Sequence, residues 1–193
     1  MSSINNDRSK PQLLVFAGPN GSGKSTVTKA MPITGVYVNA DDIKRQSGCT
    51  DLEAAQEAEA IREMLLQKRM DFTFETVLST ERNLSLLERA KEAGYEISAV
   101  FVLTNDPAIN VRRVKARSEA GGHDVPEEKI RIRYEKSLSN LSKLVRIADM
   151  TRIVDNSGDK PFLICEVKNG SARLWENENW SKMDLLSLLD KHA

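Results

Sequence analysis

Cysteine is scarce in this sequence: Cys49 and Cys165 are the two, far apart and without metal-ligand spacing. That excludes a disulfide-stapled scaffold and fits free thiols in a reducing cytosol. An excess of one charge sign is also missing, since 28 Lys and Arg balance 28 Asp and Glu. There is therefore no global electrostatic case for nucleic acid or an anionic membrane as partner. No apolar run approaches the roughly 20 residues that span a bilayer. The first ten residues are polar with no apolar core, so no secretory signal is expected and the cytoplasm is the expected compartment. Internal repeats and low-complexity tracts are absent. The 193 residues are enough for one domain with a large core, and one domain is the expectation.

What is present is organised around Gly18-Pro19-Asn20-Gly21-Ser22-Gly23-Lys24-Ser25. This is the G-x-x-x-x-G-K-S pattern of a P-loop. Leu13-Leu14-Val15-Phe16-Ala17 before it reads as a buried strand, and the segment from Ser25 and Thr26 to Met31 reads as a helix. Strand, glycine loop and helix give the pattern its mechanism. Backbone N–H groups of residues 18–26 turn toward phosphate oxygens, Lys24 reaches the β- and γ-phosphates, and Ser25 holds Mg²⁺. ATP and Mg²⁺ are the expected ligands.

Further along, apolar strands alternate with helical spacing. Strands are expected at about 12–17, 36–38, 72–77, 96–103 and 150–155. Helices are expected at 23–31, 51–68 behind the capping box of Thr50 and Glu53, and 80–94. Two more follow, one starting at Asp106-Pro107 and one long helix from Glu127 through Val145. Asn169-Gly170 between two β-rich runs predicts a hairpin, followed by a helix over 181–191. The alternation predicts an α/β fold of three layers, a P-loop NTPase with a mostly parallel five-stranded sheet, the hairpin adding antiparallel strands at one edge. Residues 1–10 read as a loose tail, 106–147 as an arginine-bearing lid, and 160–193 as the hairpin and last helix.

Phosphoryl transfer needs a cradle, a metal, a group that orients the acceptor and cations for the γ-phosphate. Asp41, after the second strand, reads either as the base for an acceptor hydroxyl or as a helix N-cap for the segment from Ile43, with Asp42 beside it. Glu75 ends an apolar strand and, with Thr76, faces the ligand end of the sheet. It can hold Mg²⁺ through water, bind the acceptor, or be an exposed strand residue. Arg112, Arg113, Lys115 and Arg117, then Arg131 and Arg133, flank a glycine turn and read as a lid over phosphates or as a solvated face. His123 in that turn reads as a structural or surface residue.

Taken together, the P-loop, Val38-Asn39-Ala40-Asp41, Phe74-Glu75-Thr76-Val77-Leu78-Ser79, Gly94-Tyr95, Arg117, Gly121-Gly122-His123-Asp124-Val125-Pro126, Arg133-Tyr134 and Asp155-Asn156-Ser157 resemble the zeta-toxin family of P-loop kinases. The chain is similar to its short stand-alone members, with motifs spread over residues 12–158. The resemblance implies a fold like that of nucleotide and shikimate kinases, with ATP and Mg²⁺. It implies transfer of phosphate to a hydroxyl of a small molecule, UDP-N-acetylglucosamine for the characterised toxins, and an antitoxin partner. It assigns Lys24 to phosphate, Ser25 to Mg²⁺, Asp41 to the base, Glu75 to the substrate end, and Arg117 and Arg133 to the γ-phosphate, with Arg131 as a substitute for Arg133. The Gly-Gly-His-Asp-Val-Pro turn departs from the best-known toxins, which are longer. The competing readings are a kinase of another metabolite or of a nucleic-acid 5′-hydroxyl, and an ATP-dependent switch.

Overall fold

Alternate residues of the first strand go to opposite cores. Leu13, Val15 and Ala17 join one buried cluster, and Leu14 and Phe16 join the other. β1 (Gln12–Ala17) is thus covered on both faces, as parallel strands are. The computed structural model describes residues 10–122 and 124–190. The residue 1–9 part of the expected tail, His123 and the last residue of the expected final helix lie outside that range.

The chain continues through α1 (Lys24–Ala30), β2 (Val36–Val38), α2 (Ala40–Ser47), α3 (Asp51–Gln67), β3 (Phe72–Thr76), α4 (Glu81–Glu92) and β4 (Glu96–Leu103). It then forms α5 (Pro107–Glu119), α6 (Glu127–Ser139), α7 (Leu141–Ile147), β5 (Met150–Asp155), β6 (Phe162–Lys168), β7 (Ser171–Leu174) and α8 (Lys182–Asp190). The strands make one sheet in the order β2-β3-β1-β4-β5-β6-β7. The first five are parallel and are those expected. The hairpin adds β6 and β7 antiparallel at the β5 edge, so the sheet has seven strands. Asn169 (φ 50°) and Gly170 (φ 78°) both sit in the left-handed region that a two-residue hairpin turn demands.

Helices α3, α4, α6, α7 and α8 pack on one face through Ala58, Leu65, Leu87, Leu138, Leu144 and Leu188. Val27 of α1 covers Phe16, Val100 and Val102 on the other. Among the described residues no helix is long and apolar enough to cross a membrane.

Two local expectations are corrected. First, Asp41 and Asp42 are not the N-cap of a helix beginning at Ile43. The helix starts at Ala40, Asn39 is its cap, and Asn39 Oδ1 accepts the Asp41 N–H at 2.9 Å. Its first turn carries the two aspartates and its last turn Lys44 and Arg45, which suits the helix dipole. Second, the long helix from Glu127 divides at Asn140. There the side-chain amide turns away and donates to the carbonyl of Leu78 at 3.0 Å, pinning the break to the turn after β3.

The chain passes from β1 to β2, returns through β3, and crosses β1 to β4. The strand ends on either side of β1 therefore open a crevice, the place where open α/β sheets bind ligands.

Candidate active site

The P-loop leaves β1 into that crevice and is held from behind by later parts of the chain. Gly18 has φ +141°, and a Cβ there would lie 2.0 Å from the Val102 carbonyl oxygen of β4. Gly23 has φ +91°, and its Cβ would lie 2.1 Å from Asn156 Nδ2. No L side chain fits either place. Asn156 Nδ2 donates to the Ser22 carbonyl at 2.7 Å, and Asn110 Nδ2 of α5 donates to the Asn20 carbonyl at 2.6 Å. Thr104 donates to Asn110 Oδ1, and Tyr134 of α6 donates to the Thr104 carbonyl at 2.5 Å. The loop is a pre-shaped cradle clamped by β5, α5 and α6.

The cleft above it has a volume of about 680 Å³, within the usual size range for a small-molecule site. Asn20, Gly21, Gly23, Lys24, Ser25 and Thr26 line its floor. Gly18, Pro19 and Ser22 belong to the loop but do not line the cleft, and the Ser22 side chain is fully buried. Lys24 Nζ folds over the loop and donates to the carbonyls of Gly18 at 2.8 Å and Pro19 at 3.1 Å.

Carboxylates and cations come from different elements. Asp41 of α2, Asp51 of α3, and Glu75 with Thr76 of β3 line the cleft. Arg113 and Arg117 of α5 and Lys129 and Arg133 of α6 line it too, with Asp124 in the turn between those helices. Ser25 Oγ lies 3.4 Å from Glu75 Oε2. Thr76 Oγ1 accepts the Leu78 N–H at 2.9 Å and Asn83 Nδ2 at 2.7 Å, so Thr76 mainly builds the turn after β3. Arg133 Nη1 donates to Asn20 Oδ1 at 3.3 Å. Arg113 is occupied with the Asn156 carbonyl at 2.8 Å.

The structure separates residues that spacing left together. Asp42 pairs with Arg45 at 2.8 Å and lines a neighbouring recess, while Asp41 lines the main cleft. Arg131 pairs with Glu127 at 2.8 Å one turn back, while Arg133 reaches the P-loop. Arg112 and Lys115 are exposed on α5 and do not line the cleft. Lys129, Tyr37 and Asn110 belong to the site or its support and had no sequence signal of their own. Asn156 was visible only as part of a motif.

Burial pulls the Lys24 ammonium down to about 8, and the Arg117 charge adds to the drop, against the opposing pull of Glu75 and Asp41. Below about pH 8 the buried cation opposes folding, and that cost fades as pH rises toward the ordinary lysine value. A phosphate bound beside Lys24 would favour the charged form, so ATP binding there would take up a proton near pH 8. ATP affinity is then expected to fall by up to about tenfold per pH unit above pH 8. Calorimetry in two buffers of different ionisation heat reads the uptake directly. Equal heats in both would show that Lys24 is already fully charged in the free protein.

With this geometry in place, comparison with known proteins decides the family. The sequence model of the zeta toxin family matches residues 36–179. The chain belongs to the zeta toxin family. The match begins at β2, after the P-loop, and spans Asp41, Glu75 and the arginine-bearing helices. An uncharacterised protein of Haemophilus influenzae is 28% identical over 127 residues, 63% of this chain and 91% of that protein. Among solved structures, the AvrRxo1-ORF1:-ORF2 complex with ATP is similar, with a TM-score of 0.71 and 16% identity, covering 97% of this chain and 66% of that one. This zeta-toxin chain thus spans just under two thirds of that protein's length. The PezAT toxin–antitoxin system of Streptococcus pneumoniae follows with a TM-score of 0.53 and 15% identity over 79% of this chain and 72% of that one. A chain of the Pnkp1/Rnl/Hen1 RNA repair complex gives 0.52 and 25% identity over 70% and 46%. The fold is that of a P-loop kinase of the zeta-toxin type.

Proposed function

We propose that this zeta-toxin-family chain is an ATP-dependent phosphotransferase that moves the γ-phosphate to a hydroxyl of a small molecule. The observation that carries the reading is that one cleft is lined by the P-loop with Lys24, by the cations Arg117 and Arg133, and by the carboxylates Asp41 and Glu75. The glycine cradle fits phosphate because its backbone is open where side chains would clash. The donor set fits Mg²⁺ bound by Ser25, phosphate oxygens and water, with Glu75 on the water shell, since Mg²⁺ keeps several waters. When bound, the ion neutralises charge on the β- and γ-phosphates.

The chain's own residues do the rest. Asp41 takes the proton of the acceptor hydroxyl as its oxygen bonds to the γ-phosphorus. The bond to the β–γ bridging oxygen breaks, and ADP keeps that oxygen. Lys24, Arg117 and Arg133 hold the charge that spreads over the transferring group. Glu75 and Thr76 border the acceptor.

Within this class, family membership supports UDP-N-acetylglucosamine as acceptor. Incubation with ATP, Mg²⁺ and a panel of UDP-sugars, followed by mass spectrometry, is expected to give one sugar nucleotide heavier by a phosphate. No new mass across the panel would remove that acceptor and leave the kinase reading for other metabolites. The likeness to a chain of an RNA repair complex supports a second reading, a nucleic-acid 5′-hydroxyl acceptor, and an RNA oligonucleotide belongs in the same panel. Neutral net charge and the carboxylates on the acceptor side weigh against it. The PezAT likeness supports an antitoxin partner, with growth arrest on induced expression of the chain alone as its test.

A further inference from the structure

We propose that Tyr37 is a positioning residue that fixes which oxygen of Glu75 faces Ser25 and ties Glu75 to the turn that carries Asp41. The proposal rests on the phosphotransferase reading and concerns how its metal side is organised. Tyr37 is the middle residue of the three-residue edge strand β2. As a β-former on an edge it attracts no attention in the sequence. In the structure its hydroxyl lies 2.7 Å from Glu75 Oε1 and 2.9 Å from Asn39 Nδ2.

The direction of each hydrogen bond follows from the backbone. Asn39 Oδ1 accepts the Asp41 N–H, because a backbone N–H can only donate. The other end of the Asn39 amide is therefore the NH₂, and it donates to the Tyr37 oxygen. Tyr37 has one proton, and it goes to Glu75 Oε1. The carboxylate is thus divided: Oε1 is taken by Tyr37, and Oε2 is turned toward Ser25 Oγ at 3.4 Å. Burial and the Glu75 charge hold the phenol in its protonated, donating form, and the Asn39 bond pulls the other way without reversing this.

Three contiguous bonds run from Glu75 through Tyr37 and Asn39 to the first turn of α2. Without the hydroxyl, Glu75 has a free oxygen and a nearby cation in Lys24, which already feels the Glu75 charge. A carboxylate that turns to Lys24 no longer presents Oε2 to a metal-bound water. Groups that orient the surroundings of a metal in this way change its affinity when removed.

The test is calorimetric titration of ATP at a series of Mg²⁺ concentrations and in EDTA, with thermal unfolding alongside. Tyr37→Phe keeps the ring and removes the hydroxyl. It is expected to raise the Mg²⁺ concentration for half-maximal ATP binding about tenfold, while binding in EDTA stays at the wild-type value and the unfolding midpoint falls by no more than about 4 °C. In a Glu75→Gln background the same change is expected to add less than about twofold. Gln46→Ala, in the recess beside Tyr37, should leave every reading unchanged. Wild-type Mg²⁺ dependence in Tyr37→Phe, or an equal shift in both backgrounds, would show that the hydroxyl only packs, and the proposal would fall. A wild-type protein that binds ATP without regard to Mg²⁺ would remove the metal side of the phosphotransferase reading and the proposal with it.

Discussion

Asp41→Asn is expected to lower transfer to the acceptor about 10³-fold while ATP affinity stays within about twofold. The substitution keeps the size and shape of the side chain but removes its ability to take a proton. Asp41 sits in the first turn of α2 and lines the cleft, and its side chain makes no hydrogen bond to the P-loop. Its removal therefore acts on the hydroxyl that attacks and not on the nucleotide that is cradled. One side effect has a known sign. Asp41 pulls the Lys24 ammonium upward, so its loss deepens the depression at Lys24. Affinities compared at a pH well below that at which Lys24 titrates in either protein keep that effect out of the reading. Rapid-quench measurement of phosphorylated acceptor, with ATP affinity by calorimetry, separates the two quantities. If Asp41→Asn leaves turnover unchanged, Asp41 is not the base. If the chain is a switch with slow hydrolysis, both hydrolysis and partner binding survive the change.

Arg117→Ala and Arg133→Ala are each expected to reduce turnover by about 10³-fold, with a much smaller change in ATP affinity. Both side chains line the cleft, from α5 and α6, and Arg133 already reaches the P-loop at Asn20 Oδ1, 3.3 Å away. Guanidinium groups that meet charge developing on a transferring phosphoryl group act in the transition state more than in the ground state. Arg133→Lys restores the charge but not the planar fork, so it should recover only part of the rate. Arg131→Ala is the matched control. It breaks an exposed ion pair with Glu127, worth at most about 1 kcal/mol, and should leave turnover alone. Steady-state kinetics across ATP concentrations gives both constants. Normal turnover in Arg117→Ala would make that arginine a surface charge, and a loss in Arg131→Ala equal to that in Arg133→Ala would reverse the assignment.

The strands, the capping box at Thr50 and the hairpin at Asn169-Gly170 were legible because each has a short-range physical signature. The start of α2 was not: a helix from Ile43 was one of two readings, and Ala40–Ser47 is polar and buries none of its residues, so no apolar face marks where it begins. Its cap, Asn39, was hidden behind two aspartates that cap equally well in isolation. The division at Asn140 depends on a carbonyl 62 residues away, which no local pattern encodes. The choice between Arg131 and Arg133 was partly available: Glu127 four residues before Arg131 is the spacing of a helical ion pair. Tyr37 and Lys129 were invisible because a tyrosine in a strand and a lysine in a helix are ordinary until a neighbour gives them a task.

The Ser22 carbonyl is held by an amide 134 residues further along the chain, and the Asn20 carbonyl by one 90 residues along. The most local motif in the sequence is thus the least local object in the molecule. A chain growing from the ribosome displays the whole glycine signature early, yet cannot lock it until β4, α5 and the end of β5 have been made and paired. The cradle is in this sense a late product of synthesis, and its completion lags the appearance of its own sequence.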